Sequence, residues 1–343
     1  MGTLKAICIS EKKGMAKHEV ESAELIAGYG IKGDAHAGNW HRQVSLLSFD
    51  AVEEFKSRSA FAGGSCSKVQ GICEAPGKGG EVNGGSIGIE ICNGAFGENL
   101  LVEGEELERL SRLPVGTRFR IGGGVLLELT QIGKACHDHC AIYEAMGDCI
   151  MPREGVFAVV LEGGMIKKGD KIEMAAADPE RAFAAARITL SDKGAAGERE
   201  DKSGPIIDEM LEAAGYVVVE KLLLSDDEAG LRGELMRLSD QRQVDLILTT
   251  GGTGFSQRDS APEATIAVCD RMAPGIAEAV RAYSMTITPR AMLSRAASGI
   301  RRNTLIINLP GSPKAVQETM EFLLPTLEHG LGILRGLDGE CAR

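Results

Sequence analysis

The stretch Val244-Asp245-Leu246-Ile247-Leu248-Thr249-Thr250-Gly251-Gly252-Thr253-Gly254-Phe255-Ser256-Gln257-Arg258-Asp259 decides the fold of the C-terminal half of this 343-residue chain. Val244 to Leu248 reads as a buried strand that runs into a turn of small residues. With no side chains in the way, the N–H groups of such a turn approach an anion closely. No Gly-Lys-Ser/Thr follows, so it is not a P-loop, and the third glycine of a dinucleotide fingerprint is missing. Taken alone, the turn reads equally well as a tight connection.

Working outward, the same alternation of strand and helix recurs. Ala184 to Leu190 is a strand; Ser203 to Ala214 places Ile206, Ile207, Met210, Leu211 and Ala214 on one helical face and closes at Gly215; Val217 to Leu224 is the next strand. Ser225 to Glu228 has the pattern of a capping box, with Ser225 at the N-cap, and Leu231, Leu235 and Leu238 continue the apolar stripe. Thr304 to Leu309 completes the strands. Repeated βα units imply an α/β three-layer domain with a mostly parallel sheet, and in such sheets ligands bind beyond the carboxyl ends of the strands. There, Ser312 suits an N-cap, Pro313 the first helical position and Lys314 a point charge toward phosphate. Asp192, Asp226 and Asp259 bring carboxylates to the same edge. Singly each reads as a cap or a surface charge; together beside phosphate they call for a cation, and Mg²⁺ takes one or two carboxylates plus substrate oxygens.

The first half differs. Seven of the nine cysteines lie within its first 149 residues, and from Thr117 to Lys171 short alternating segments with glycine turns read as a mainly-β, barrel-like domain. Ala62 to Gly85 is glycine-rich and reads as a mobile surface insert. The pattern changes near Met174 to Pro179, which places a linker over 177–182 between domains 1–176 and 183–343. At roughly 150 residues per domain the length expects two. The composition, 43% hydrophobic and 25% charged, is that of a globular protein. A net charge of −11 and 4% aromatic residues argue against nucleic acid or an anionic membrane as partner. No apolar run reaches the roughly 18 residues of a bilayer span, the start lacks a signal peptide, and Ala6 breaks the myristoylation pattern. A cytoplasmic protein is expected.

Thr250-Gly251-Gly252-Thr253-Gly254, Arg258-Asp259 with Pro262 to Thr265, Pro274-Gly275, Leu293-Ser294-Arg295 and Asn308-Leu309-Pro310-Gly311-Ser312-Pro313-Lys314 occur in the order found in the molybdopterin-binding MoaB/Mog family, which the chain resembles over roughly 182–336. Ser191-Asp192-Lys193, Gly197 and Asp201-Lys202 resemble its opening strand and loop. The resemblance implies transfer of AMP from Mg-ATP to the terminal phosphate of molybdopterin. It places Asp226 and Asp259 as the catalytic, Mg²⁺-holding carboxylates. It makes Thr250, Gly251, Gly252, Thr253, Gly254, Ser294, Arg295, Asn308, Pro310, Gly311, Ser312 and Lys314 the pterin and phosphate contacts. One departure is Phe255-Ser256-Gln257, where small or basic residues are often seen. A homotrimer through this domain, and a molybdenum-insertion protein and molybdoenzymes as partners, are implied with it; pyridoxal phosphate is not expected.

In the first half, Gly33-Asp34-Ala35-His36-Ala37-Gly38 with His41-Arg42-Gln43, and Gly94 to Leu101, are similar to the MOSC domain of molybdenum cofactor proteins over about 4–174. The family's reactive cysteine falls on Cys136 measured from Thr130-Gln131 and on Cys140 measured from Ala141-Ile142. A thiolate flanked by Lys134, His137 and His139 suits persulfide carriage or ligation of molybdenum, Cys140 being the favoured ligand, with His36, His41 and Arg42 as contacts to the cofactor's anionic groups. Cys136, His137, His139, Cys140 and Cys149 also admit a zinc or iron site. Three functional readings follow: an adenylyltransferase fused to a sulfur-carrying or cofactor-binding module, a non-catalytic cofactor carrier or store, and a molybdenum-dependent reductase centred on the MOSC cysteine.

Overall fold

The computed structural model describes residues 1–61, 92–134 and 148–337, and the chain divides into two compact units, Met1–Asp178 and Pro179–Arg343. In the first unit the strands are β1 (Gly2–Ile9), β2 (His18–Val20), β3 (Ser22–Ile26), β4 (Gly30–Ile31), β5 (Val44–Ser48), β6 (Leu100–Glu103), β7 (Arg118–Ile121), β8 (Val125–Ile132), β9 (Val156–Glu162), β10 (Gly164–Lys167) and β11 (Lys171–Ala175). Eight of them run in the order β11-β7-β8-β9-β5-β6-β1-β2, and β1 pairs back onto β11 through Gly2↔Ile172 and Thr3↔Lys171. The expected barrel is therefore closed as a ring of seven strands, with β2 paired to β1 outside it. Along β8, Val125, Leu127 and Leu129 point inward to meet Phe119 and Ile121 of β7, the period-2 alternation that one buried face demands. Gly122 and Gly123, at φ +60° and +81°, make the turn between these strands. A three-stranded sheet, β10-β3-β4, completes the unit.

The second unit contains β12 (Ala184–Leu190), β13 (Val217–Leu224), β14 (Leu246–Thr250), β15 (Arg271–Met272), β16 (Ser298–Arg301) and β17 (Thr304–Leu309), in the order β13-β12-β14-β17-β16-β15. The first four are parallel, but β16 runs antiparallel to β17 and β15 antiparallel to β16. The sheet is thus mixed: its four central and β13-side strands are parallel as expected, and its β16-β15 edge is antiparallel. A two-residue connection, Arg302-Asn303, with Arg302 at φ +52°, joins β16 to β17, and only antiparallel strands can be linked so tightly. Alternate side chains cover the two faces. Leu246, Leu248, Leu305 and Ile307 pack with Ile207, Leu211, Val316, Met320 and Leu327 from helices Ser203–Ala213 and Pro313–Arg335. Ala186, Ile188, Ile247 and Ile306 pack with Leu231, Leu235, Leu238, Ala264 and Val268 from helices Glu228–Asp240 and Ala261–Val268. Helices on both faces give three layers.

Two local expectations are corrected. The helix after β13 begins at Glu228 and its N-cap is Asp227, whose carboxylate accepts from the Gly230 amide, not Ser225. Asp226 is engaged elsewhere, so the helix starts two residues later. The central strand starts at Leu246 rather than Val244, and the Asp245 carboxylate just before it accepts the Ala184 amide and the Arg335 guanidinium. No helix among the described residues is long and apolar enough to cross a membrane.

Candidate functional site

The carboxyl ends of β12, β13, β14 and β17 converge. After β12, Ser191 caps the short helix Asp192–Ala195. After β13 comes Asp226, and the two aspartates exchange hydrogen bonds: the Asp192 amide donates to Asp226 Oδ2 (3.2 Å) and the Asp226 amide to Asp192 Oδ1 (3.0 Å). This clip ties the two residues together across the strand ends. Arg258 Nη2 reaches Asp192 Oδ2 at 2.7 Å. Burial, with the like charges of Asp192 and Asp259, raises the Asp226 carboxyl from its ordinary value, against the pull of the Asp192 amide and Arg258.

Glycine brings the strand ends together. Gly251 sits at φ +97°, and a Cβ there would lie 2.5 Å from the Leu190 carbonyl oxygen; one on Gly311 would lie 3.3 Å from Gly251 Cα. The ends of β12, β14 and β17 therefore touch backbone to backbone. The loop that follows is braced from outside. Arg295 donates through Nε to the Gly254 carbonyl (2.6 Å) and through Nη2 to the Asp259 carbonyl, and its amide donates to the Thr253 carbonyl (3.0 Å). Asp259 Oδ2 accepts the Ser256 amide (3.0 Å). The Ser294 carbonyl is held in turn by Arg281 Nε (2.9 Å). Arg295 and Ser294 thus act on the loop that carries Gly252 and Gly254.

Two expected ligand contacts have their side chains engaged in the scaffold. Asn308 is buried; its amide nitrogen donates to Thr249 Oγ1 (2.9 Å) and Thr265 Oγ1 (2.8 Å), and its oxygen accepts the Ala297 amide. Thr250 Oγ1 donates to the Pro310 carbonyl (2.7 Å), tying β14 to the turn after β17. Ser312 caps the helix Pro313–Arg335, accepting from the Ala315 amide at 3.4 Å. Lys314 is exposed, with Glu318 at 3.8 Å.

Sequence reasoning missed a buried network beneath this edge. Arg187 of β12 pairs through Nε and Nη2 with Asp208 (3.2 and 2.9 Å) and through Nη1 with Asp201 Oδ2 (3.1 Å), Thr189 Oγ1 (3.2 Å) and the Leu222 carbonyl (3.2 Å). Asp201 Oδ1 accepts the amides of Ser203 and Gly204, and Ser203 Oγ donates to the Gly311 carbonyl (2.9 Å). The available signal was an arginine inside an otherwise apolar strand, which burial obliges to find carboxylates.

In the first unit, two cations approach the Trp40 ring. The Arg42 guanidinium lies 4.8 Å from its ring centroid and the Lys13 ammonium 5.3 Å, while its indole N–H donates to the His36 carbonyl (2.7 Å). His41 Nε2 shares a hydrogen bond with Gln131 Oε1 (2.8 Å). The loop is anchored by Asp34, which accepts the fully buried Lys17 ammonium at 2.7 and 2.9 Å and the amides of Ser10 and His36. Burial alone would raise the Asp34 carboxyl, but the contacts with His36 and Lys17 outweigh it and hold it well below the usual range. Cys136, His137, His139 and Cys140 lie outside the described residues, as does the 62–85 insert. The sulfur, molybdenum and zinc readings therefore have no geometry here. Among the described residues no three His, Cys, Asp or Glu side chains are grouped to hold a metal. The all-oxygen pair Asp192 and Asp226 fits a hard cation that completes its shell with water and substrate oxygens.

Glu98 of the first unit, buried and accepting the amides of Gly94 (2.6 Å) and Phe96 (3.1 Å), has its carboxyl pushed up to about 7 by burial. A native state that keeps a proton which the unfolded chain releases at its ordinary value of 4.5 loses stability as pH rises from 4.5 to about 7. Unfolding followed by the fluorescence of Trp40, the single tryptophan, is expected to show this decline in the wild type and a flatter profile in Glu98→Gln. Identical profiles would show that Glu98 titrates normally.

Residues 186–329 match a family model described as "Probable molybdopterin binding domain", and residues 33–173 match that of the MOSC domain. The molybdopterin adenylyltransferase of Helicobacter pylori (strain ATCC 700392 / 26695) is 38% identical over 151 residues, 43% of this chain and 86% of that protein. That of Escherichia coli (strain K12) is 41% identical over 136 residues, 39% of this chain and 70% of the relative. Among solved structures, the molybdopterin biosynthesis enzyme MoaB from Thermus thermophilus is 43% identical, covering 45% of this chain and 97% of its own, with a TM-score of 0.43.

Proposed function

The chain belongs to the molybdopterin adenylyltransferase family through its C-terminal half, with a MOSC domain ahead of it, and from that premise we propose that it binds molybdopterin and ATP at the carboxyl edge of the C-terminal sheet and transfers AMP. The observation that carries this reading is the convergence there of paired carboxylates, Asp192 and Asp226, with a braced glycine loop and a helix N-terminus at Ser312.

In the reaction an oxygen of the molybdopterin phosphate forms a bond to the α-phosphorus of ATP, the bond from that phosphorus to the bridging oxygen breaks, and pyrophosphate leaves with the electron pair. Mg²⁺, when bound, supplies positive charge against the polyphosphate. The chain's own part is placement. Asp192 and Asp226 are held side by side by their reciprocal amide hydrogen bonds. Asp259, which also holds the Ser256 amide, adds a third negative charge near them. The amides of the Gly251 to Gly254 turn and of the helix start offer fixed dipoles to phosphate oxygens. Because these donors are held by Arg295, Thr250 and Ser203, little reorganisation is needed when the anions arrive.

The first unit is read as a holder of the same anionic cofactor, on the cations stacked over Trp40. Sulfur carriage by Cys136 or Cys140 belongs to this reading: the thiolate would attack the outer sulfur of a donor persulfide, the S–S bond would break, and the donor would leave as its thiolate. Incubating the full chain with molybdopterin, ATP and Mg²⁺ tests both parts. Adenylylated molybdopterin and pyrophosphate in equal amounts are expected, together with a change in Trp40 fluorescence on adding molybdopterin alone. Absence of AMP transfer overturns the first part, and an unchanged Trp40 signal overturns the second.

A further inference from the structure

Arg258 is tied to the carboxylate edge differently from Arg187 and Arg295. Arg187 and Arg295 have their guanidinium groups committed to three or more partners. Arg258 contacts Asp192 at 2.7 Å, and its side chain is 64% exposed. A pair this open to water contributes about 0–1 kcal/mol to stability, so structure alone does not account for its placement. The loop that delivers it is held without its side chain, by Arg295 on Gly254 and Asp259, by Asp259 on the Ser256 amide, and by the Ala261 amide on the Gly252 carbonyl. The backbone is fixed, whereas the charged head can change partners.

Its surroundings say which partner it would change to. Asp192, Asp226 and Asp259 crowd three negative charges together, and Arg258 offsets them. Asp192 and Asp226 would hold a divalent cation that accompanies a polyphosphate, and a guanidinium given up by Asp192 to that cation would find phosphate oxygens, whose spacing its planar fork matches.

We infer that Arg258 is a substrate-binding residue for a magnesium nucleoside triphosphate, exchanging its pairing with Asp192 for the nucleotide's phosphate oxygens. The inference rests on the adenylyl-transfer reading of the site.

The test is calorimetric titration of the full chain with Mg-ATP in the absence of molybdopterin, so that binding is read without turnover, alongside the melting temperature. Arg258→Ala is expected to bind Mg-ATP about 10- to 100-fold more weakly, the effect of losing one or two charge-assisted hydrogen bonds, with an unchanged melting temperature. Arg258→Lys, which keeps the charge but not the fork, is expected to fall between the two. Equal affinity in wild type and Arg258→Ala overturns the inference and leaves adenylyl transfer standing. A wild type that binds no Mg-ATP overturns both. Weaker binding accompanied by a lowered melting temperature assigns Arg258 a structural role and overturns the inference as well.

Discussion

Asp226→Asn is expected to lower AMP transfer by about 100- to 1000-fold with little change in melting temperature. A carboxylate that positions a cation against transferring phosphoryl groups contributes several kcal/mol of transition-state stabilisation, and each 1.36 kcal/mol is about tenfold in rate. Asparagine is the informative replacement because its carbonyl oxygen still accepts the Asp192 amide, 3.2 Å from Asp226 Oδ2, so the clip between the two strand ends survives while the charge is removed. Asp226→Ala also loses that acceptor, adding about 1 kcal/mol of destabilisation. Full turnover by Asp226→Asn would reduce Asp226 to a loop clip.

Arg187→Met is expected to destabilise the C-terminal unit by about 3–5 kcal/mol, the cost of leaving buried charges uncompensated. Asp208 and Asp201 both depend on this guanidinium, and Asp201 in turn caps the helix Ser203–Ala213 through two amides. A second cost falls on the site, because Ser203 holds the Gly311 carbonyl. Helical circular dichroism follows this unit's sheet-covering helices, while Trp40 reports the first unit. The helical transition should move to lower denaturant and the Trp40 transition should stay in place. Adding Asp208→Asn should recover part of the loss, since a neutral partner no longer needs the cation. A helical transition unmoved by Arg187→Met would mean that water satisfies the two aspartates.

Much of the architecture was legible because it rests on local rules. The strands Ala184–Leu190, Val217–Leu224 and Thr304–Leu309 are runs of apolar residues ended by turn formers, and the Ser312-Pro313 helix start is a matter of capping chemistry. The direction of β16 was not legible: a four-residue strand, Ser-Gly-Ile-Arg, carries no strong pattern, and its antiparallel pairing depends on the tight turn at Arg302. Nor was the cap at Asp227, because Ser225 satisfies the same local rule and loses only when Asp226 is drawn to Asp192, 34 positions earlier. Asn308 and Thr250 read as ligand contacts from their motif, yet the fold commits their side chains to the scaffold, since polar groups that deep must be satisfied internally.

The sequence by itself determined which chemistry-bearing residues follow which strands, through periodicity and turn composition that need no partner to be read. Only the tertiary structure decided which of them share a point in space. The clip of Asp192 with Asp226, the placement of Arg258 and the support of Gly311 by Arg187 through Asp201 and Ser203 are contacts between distant segments, and their energies arise only once the sheet has aligned those segments.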